Sequence, residues 1–290
     1  MPEETPLLLD TDVGSDIDDA LCLSYLLAER RSHLLGVSTV SGGAPQRAML
    51  ADALCKAAGR YDVPVWAGTE APLLGEQQQP DVPQESALNN WEHESDFEPN
   101  EAVWKMRETI REYPGNPVLL TVGPLTNVGL LFSLDPEIPR MLDRLVVMGG
   151  RFFMEGSPEW NIRCDPYAAS IALSAPVRKI QIYALDVTTQ CVMNADECRE
   201  RFTGGPLDMV AEMAEVWFGE RDKVTFHDPL AACAVFEPEM CNYRNGKIHV
   251  GVDSGSTVLK SVEGGAGQVA ESVDSDRFFE RYFGTVEAFV

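Results

Sequence analysis

The 290-residue sequence predicts an α/β fold, one open and mostly parallel sheet covered on both faces by helices, as a single domain spanning residues 1–290. Three observations predict it. Continuous apolar runs of five to seven residues recur along the chain, as in PLLLD, LLGVSTV, PVLLTV, RLVVMGG and KIQIYAL. Runs apolar on both faces belong to strands buried on both sides. Segments of helical length alternate with these runs, which is the signature of parallel pairing through helical crossovers. No internal repeat or linker divides the chain.

Taken in order, PLLLD reads as a strand and DDALCLSYLLAERRS as a helix, with Asp18 and Asp19 in its first turn and Arg30 and Arg31 in its last, the charge order a helix dipole favours. LLGVSTV follows as strand, PQRAMLADALCKAAG as helix and PVWAG as strand. From Leu74 to Pro99 the rhythm breaks: this stretch is polar, rich in amides and punctuated by proline, and a loop of such length in a compact domain is functional or disordered. PVLLTV, LTNVGLLFSL, RLVVMGG, DPYAASIALS and KIQIYAL resume the alternation. Asn194 to Phe236 reads as several helices, HVGVDSGSTVLKSV as a hairpin and DSDRFFERYFGTVEAF as a closing helix.

Composition narrows the function. Forty-six acidic against 23 basic residues leave a formal charge of −23 spread along the chain. No basic stripe exists to attract phosphates, which argues against nucleic acid and anionic membrane as partners. Solubility is the plain explanation of the charge. The seven cysteines show no CxxC spacing, and several sit in apolar runs, the usage of a reducing compartment. The amino terminus is acidic, and no apolar run reaches spanning length, so the cytoplasm is the expected location.

The stretch LLLDTDVGSDIDDALCL crowds Asp10, Asp12, Asp16, Asp18 and Asp19 between a strand and a helix. Two carboxylates about 5 Å apart repel by roughly 3 kcal/mol at an effective dielectric near 20. Such a cluster is solvated, partly protonated or neutralised by a cation, and ligands of open α/β sheets bind just beyond the carboxyl ends of the strands. Spacing of two puts Asp10 and Asp12 on one side of an extended strand. An EF-hand loop started at Asp10 fails, because Ser15 and Leu21 stand where glycine and glutamate are required. A haloacid dehalogenase-type phosphatase would need threonine or valine at Gly14, and its later lysine and GDxxxD are not evident. Downstream, FHDPLAA places His227 and Asp228 before a helix started by Pro229, and EWNIRCDPYAA spaces Glu159 and Asn161 by two. Read alone, the first is a helix cap with a bystander, whereas the second points to a hydroxyl-binding pair, with a polar loop packed by Trp160 as the plainer alternative. An acid and an amide side by side suit vicinal hydroxyls.

DTDVGSDIDDA, with two extra residues before its Asp-Asp pair, resembles the amino-terminal signature of the inosine-uridine-preferring nucleoside hydrolases. The resemblance continues in register through TVGPLTNVG, VVMGG, EWNIRCDPYAA, ALDVT, FHDPLAA and VDSDRFF, covering essentially the whole chain. It implies a Rossmann-like fold and hydrolysis of the N-glycosidic bond of a ribonucleoside. It further implies a Ca²⁺ ion on Asp12, Asp19, Asp228 and the main-chain carbonyl of Val122, with ribose hydroxyls completing the shell. Asp12 becomes the general base and His227, with a pKa tunable near neutrality, the acid for the departing base. Asp18, Glu159 and Asn161 would hold the ribose, with Asp10 and Asp16 behind them; the insertion leaves open whether Asp16 or Asp18 takes the ribose. Relatives of this kind assemble as dimers or tetramers.

Three departures concern ribose and base. Gly43 stands where the family turn carries asparagine, and Thr189 replaces a histidine that often follows LDVT. The base-contacting HG motif is absent from the 74–99 segment, which offers Gln84, Asn89, Asn90, Trp91 and His93. Trp91 either stacks on a base or pins the loop. The segment is expected to flank the pocket mouth and close over substrate. A calcium-dependent binding protein is the non-enzymatic alternative, and retention of both Asp12 and His227 favours the enzyme.

Overall fold

The computed structural model describes residues 4–113, 115–260 and 265–289. Among the described residues eleven strands and twelve helices alternate as β1 (Thr5–Thr11), α1 (Asp18–Ala28), β2 (Ser32–Thr39), α2 (Ala44–Ala57), β3 (Val65–Ala67), α3 (Ala102–Glu112), β4 (Val118–Thr121), α4 (Thr126–Leu134), α5 (Ile138–Met141), β5 (Arg144–Met148), α6 (Trp160–Cys164), α7 (Pro166–Ser174) and β6 (Ile180–Tyr183). Then come α8 (Leu185–Thr188), β7 (Val192–Asn194), α9 (Ala195–Arg201), α10 (Pro206–Phe218), β8 (Lys223–Thr225), α11 (His227–Phe236), β9 (Cys241–Gly251), β10 (Ser256–Lys260), β11 (Gly267–Val273) and α12 (Ser275–Val286).

Nine strands form one sheet in the order β10-β9-β11-β6-β5-β4-β1-β2-β3, in which β9 alone opposes the others. β1 pairs in parallel with β2 on one side and β4 on the other, so the strand order reverses beside β1. That reversal is the switch point at which open α/β sheets bind ligands. Alternate residues of β1 feed opposite cores: Leu7 and Leu9 join the layer of α1, α10, α11 and α12, and Leu8 the layer of α3, α4 and α7. The expected hairpin is β9–β10, extended upstream to Cys241; its expected last residues, Ser261 and Val262, lie outside the described residues. All seven cysteines are buried and unpaired with one another. Among the described residues no helix is long and apolar enough to cross a membrane.

Two local differences have tertiary causes. α1 stops at Ala28, before Arg30 and Arg31, because Glu29 turns extended and its carboxylate draws Arg31 into a two-bond fork at 3.0 and 3.1 Å, with Arg281 of α12 on the same group. The arginine that was to face the helix dipole closes an ion pair instead. α3 escapes a reading of apolar runs because five of its eleven residues are charged; its buried positions Val103, Met106 and Ile110 fall at helical spacing on one face.

Candidate active site

α1 is buried on all sides and packs along α11. Their amino termini meet beside the end of β1, which gathers Asp18, Asp19 and Asp228: one carboxylate oxygen from each lies within 4.8 Å of the others. The Asp228 backbone N–H donates to Asp18 Oδ2 at 3.2 Å, so the start of α11 faces an anion, as helix amino termini favour. Thr11, on the α1 side of β1, donates its hydroxyl to Asp19 Oδ1, which also accepts the Asp12 N–H at 3.2 Å. Burial, and then the repulsion of neighbouring carboxylates, push Asp18 and Asp228 well above the usual range; Asp19 is raised the same way, with Thr11 opposing. Three buried carboxylates held this close need protons or a cation. An all-oxygen donor set of this density fits a hard divalent cation.

Asp10 and Asp12 do not share a side. β1 ends at Thr11, so the two-residue period stops before Asp12. Asp10 stays under the sheet's other face, accepting from Ser38 at 2.6 Å and Asn127 at 2.8 Å, and burial raises it to about 7. Asp12 turns into a cleft of about 490 Å³, shared with Asp16, Asp18, Asp19, His227 and Asp228. Burial raises Asp12, with the Arg47 charge opposing. Asp16 accepts the Ile17 N–H at 2.6 Å and is raised by burial to about 6. Asp18, expected at the ribose, stands inside the carboxylate trio; Asp12 lies alongside it.

Glu159 and Asn161 both line the cleft: Glu159 is extended, at φ −67° and ψ 152°, and Asn161 lies in the first turn of α6. Glu159 caps α6, its carboxylate accepting N–H groups of Gly150, Asn161 and Ile162. Asn161 Nδ2 donates to the Val122 carbonyl at 2.6 Å and to that of Met148 at 3.3 Å. Two carbonyl partners fix the amide, which leaves Oδ1 as its free acceptor. The Val122 carbonyl thus has one of its two lone pairs already engaged.

His227, the first residue of α11, sets its Nδ1 2.7 Å from the Thr188 hydroxyl. Burial drives the imidazole down to about 4, not toward neutrality, so the ring is uncharged at pH 7. In the tautomer protonated at Nε2 the Thr188 hydroxyl donates to Nδ1, and in the other it accepts from it.

The 74–99 segment is built, not loose. A 3-10 turn over Pro83–Asn89 packs against α2 and α10. Trp91 is not among the residues lining the cleft: its indole donates to Glu212 of α10 at 3.0 Å and its ring packs on the core, the pinning alternative. Asn90 also donates to Glu212, and His93 lies against the Trp91 carbonyl. What reaches the cleft is Gln79, together with Trp160, Trp217 and Arg221 from elsewhere. These carry no motif; only their positions in the fold bring them here. Arg47 had a signal, a charge within the buried series Ala44, Ala48 and Ala51 of α2. Its guanidinium is fully buried and binds the carbonyls of Asp12, Val13, Gly42 and Asp81 and the Ser15 hydroxyl, holding the turn after β1.

A dinucleotide-binding sheet would offer a glycine-rich turn and open backbone N–H groups at this switch point. This one offers packed carboxylates that could hold a cation, with a neutral imidazole and an amide in the same cleft, the groups a metal-dependent hydrolase needs. The sequence agrees at finer grain: residues 7–280 match the profile of the inosine-uridine preferring nucleoside hydrolases, and the chain belongs to that family. Uridine nucleosidase 1 of Arabidopsis thaliana is 29% identical over 280 residues, covering 87% of this chain and 81% of its own. The pyrimidine-specific ribonucleoside hydrolase RihA of Citrobacter koseri is 31% identical over 253 residues, covering 81% and 80%. Among solved structures, a plant nucleoside hydrolase superposes with a TM-score of 0.85 at 24% identity, covering 98% of this chain and 99% of that one. A purine-preferring ribonucleoside hydrolase from Gardnerella vaginalis gives 0.85 at 22%, with the same coverage; both establish the shared fold.

Proposed function

We propose that the chain hydrolyses the N-glycosidic bond of ribonucleosides to ribose and free base, with Ca²⁺ bound by Asp18, Asp19 and Asp228 and with Asp12 and the Val122 carbonyl beside them. The observation that carries this reading is the convergence of two helix starts on three buried carboxylates, next to a fourth, Asp12, in a cleft that His227 also lines. When bound, the ion neutralises the cluster and acidifies water at the site. Calcium is the hard cation that takes six to eight oxygen ligands, the donor type gathered here.

Asp12 takes the proton of the attacking water. Asn161 Oδ1, with Glu159 behind it, receives a ribose hydroxyl, and Asp16 or Asp18 receives another. His227, once it has taken up a second ring proton, passes Nε2–H to the departing base and returns to the neutral imidazole that Thr188 holds at Nδ1. The base would lie toward Trp217 and Arg221. The two relatives described above are named for uridine and pyrimidine ribosides, so uridine and cytidine join inosine as first substrates. The working enzyme is expected to be a cytoplasmic dimer or tetramer, read by light scattering. The test is ribose release from these three nucleosides by the wild type and by Asp12→Asn. Release by the wild type and a loss of at least about 10²-fold in the variant are expected for a general base; equal release by both removes Asp12 from that role.

A further inference from the structure

Gln79 touches the site in a way no motif announces. Its side-chain amide donates from Nε2 to Asp12 Oδ2 at 2.9 Å and to the Ser15 hydroxyl at 3.0 Å, and its Oε1 accepts the Trp160 indole N–H at 2.6 Å. The indole nitrogen can only donate, which settles the amide: Oε1 must face Trp160 and the NH₂ must face the carboxylate. The backbone around Gln79 is equally determined. A Cβ on Gly42 would stand 2.6 Å from the Gln79 carbonyl oxygen and from Pro80 Cα, and one on Gly43, at φ +69°, 2.5 Å from Val82 Cγ2. Residues 79–82 therefore run directly over the two glycines, in space that any side chain there would fill. Arg47 holds the Asp81 carbonyl at 2.9 Å, and Gln84, fully buried, donates to the Ser15 carbonyl at 3.1 Å.

We propose that Gln79 is the positioning residue for Asp12. Its amide fixes one carboxylate oxygen and leaves the other for the reaction, and through Trp160 it ties the 74–82 strap to α6, the helix that carries Asn161. Orientation of the base and roofing of the cleft are then one event. The inference rests on the reading of Asp12 as the base and adds a second polypeptide segment to its control.

The experiment compares Gln79→Met, Trp160→Phe and the double variant on whichever of uridine, cytidine and inosine the wild type cleaves fastest. Calcium affinity is measured by calorimetry and hydrogen exchange is followed over residues 74–82. Methionine keeps the length and packing of glutamine without its hydrogen bonds, and phenylalanine removes the indole donor. Losing a hydrogen bond to a charged group predicts a fall in kcat of about 10- to 100-fold for Gln79→Met with KM little changed. Trp160→Phe falls less, the double variant falls no further than Gln79→Met, exchange over 74–82 rises in all three, and calcium affinity holds. Wild-type kcat in Gln79→Met makes the residue a mere packing element and overturns the proposal. So do additive losses, or a loss of calcium binding that matches the loss of activity. Failure of the underlying reading shows separately, as turnover that persists in Asp12→Asn.

Discussion

Asp228→Asn should change sign with metal. The three oxygens of Asp18, Asp19 and Asp228 lie within 4.8 Å, so each ionised pair repels by about 3 kcal/mol or more at an effective dielectric near 20. The raised pKa values show that the metal-free protein relieves part of this by keeping protons on the cluster. Neutralising Asp228 removes two of the three pairs, and after that discount we expect a gain of about 1–2 kcal/mol in chelator. For a domain of this size that raises the melting temperature by about 2–3 °C. In calcium the order reverses. A ligand at a hundred times its dissociation constant stabilises the native state by about 2.7 kcal/mol, and the variant loses that gain with its ligand. Scanning calorimetry of both proteins in chelator and in a calcium series measures all four quantities. A variant less stable than wild type in chelator, together with a wild type indifferent to calcium, would refute the reasoning.

His227→Ala should slow hydrolysis of uridine or inosine by about 10²–10⁴-fold, and that of p-nitrophenyl riboside far less, because nitrophenolate leaves without a proton. Steady-state rates on both substrates decide it, and equal losses would reduce His227 to a positioning group. Trp217→Ala should shift relative kcat/KM between purine and pyrimidine ribosides, whereas Trp91→Ala should lower stability alone, since its ring packs on the core away from the cleft; competition assays on mixed nucleosides separate the two. Burial alone would raise Glu29, but its bonds to Arg31 and the Arg281 charge hold it below its ordinary 4.5. A depressed carboxyl adds stability above its unfolded value and loses it as pH falls through the folded one. Glu29→Gln should therefore cost about 2 kcal/mol at pH 7, less than a fully buried pair because both arginines are partly exposed. That gap should close below about pH 4 in urea titrations run as a pH series.

The fold was legible because it is written in local pattern: apolar runs, helical segments between them, and a charged junction where β1 meets α1. The carboxylates were legible for the same reason, since Asp18 and Asp19 follow the first strand within a few residues. What was not legible depends on distant partners. Arg31 leaves the helix dipole for Glu29, in a pair that Arg281 of the last helix completes. Trp91 answers to Glu212, and Gln79 reaches Asp12 across 67 positions through a segment without period. The divergence of Asp10 from Asp12 turns on where one strand ends, a boundary that pairing with β2 and β4 sets. His227 was misjudged in charge because burial, which no dipeptide reveals, governs its titration.

The most direct measurement of the central claim is ribose release from uridine or inosine against the matching 2′-deoxynucleoside, in chelator and after calcium is restored. A site built to hold a hydroxyl rejects its absence by roughly 10⁴–10⁵-fold. The account predicts rapid release from the ribonucleoside only with calcium and almost none from the deoxynucleoside under either condition. Comparable rates on the two sugars, or full activity after exhaustive chelation, would contradict it.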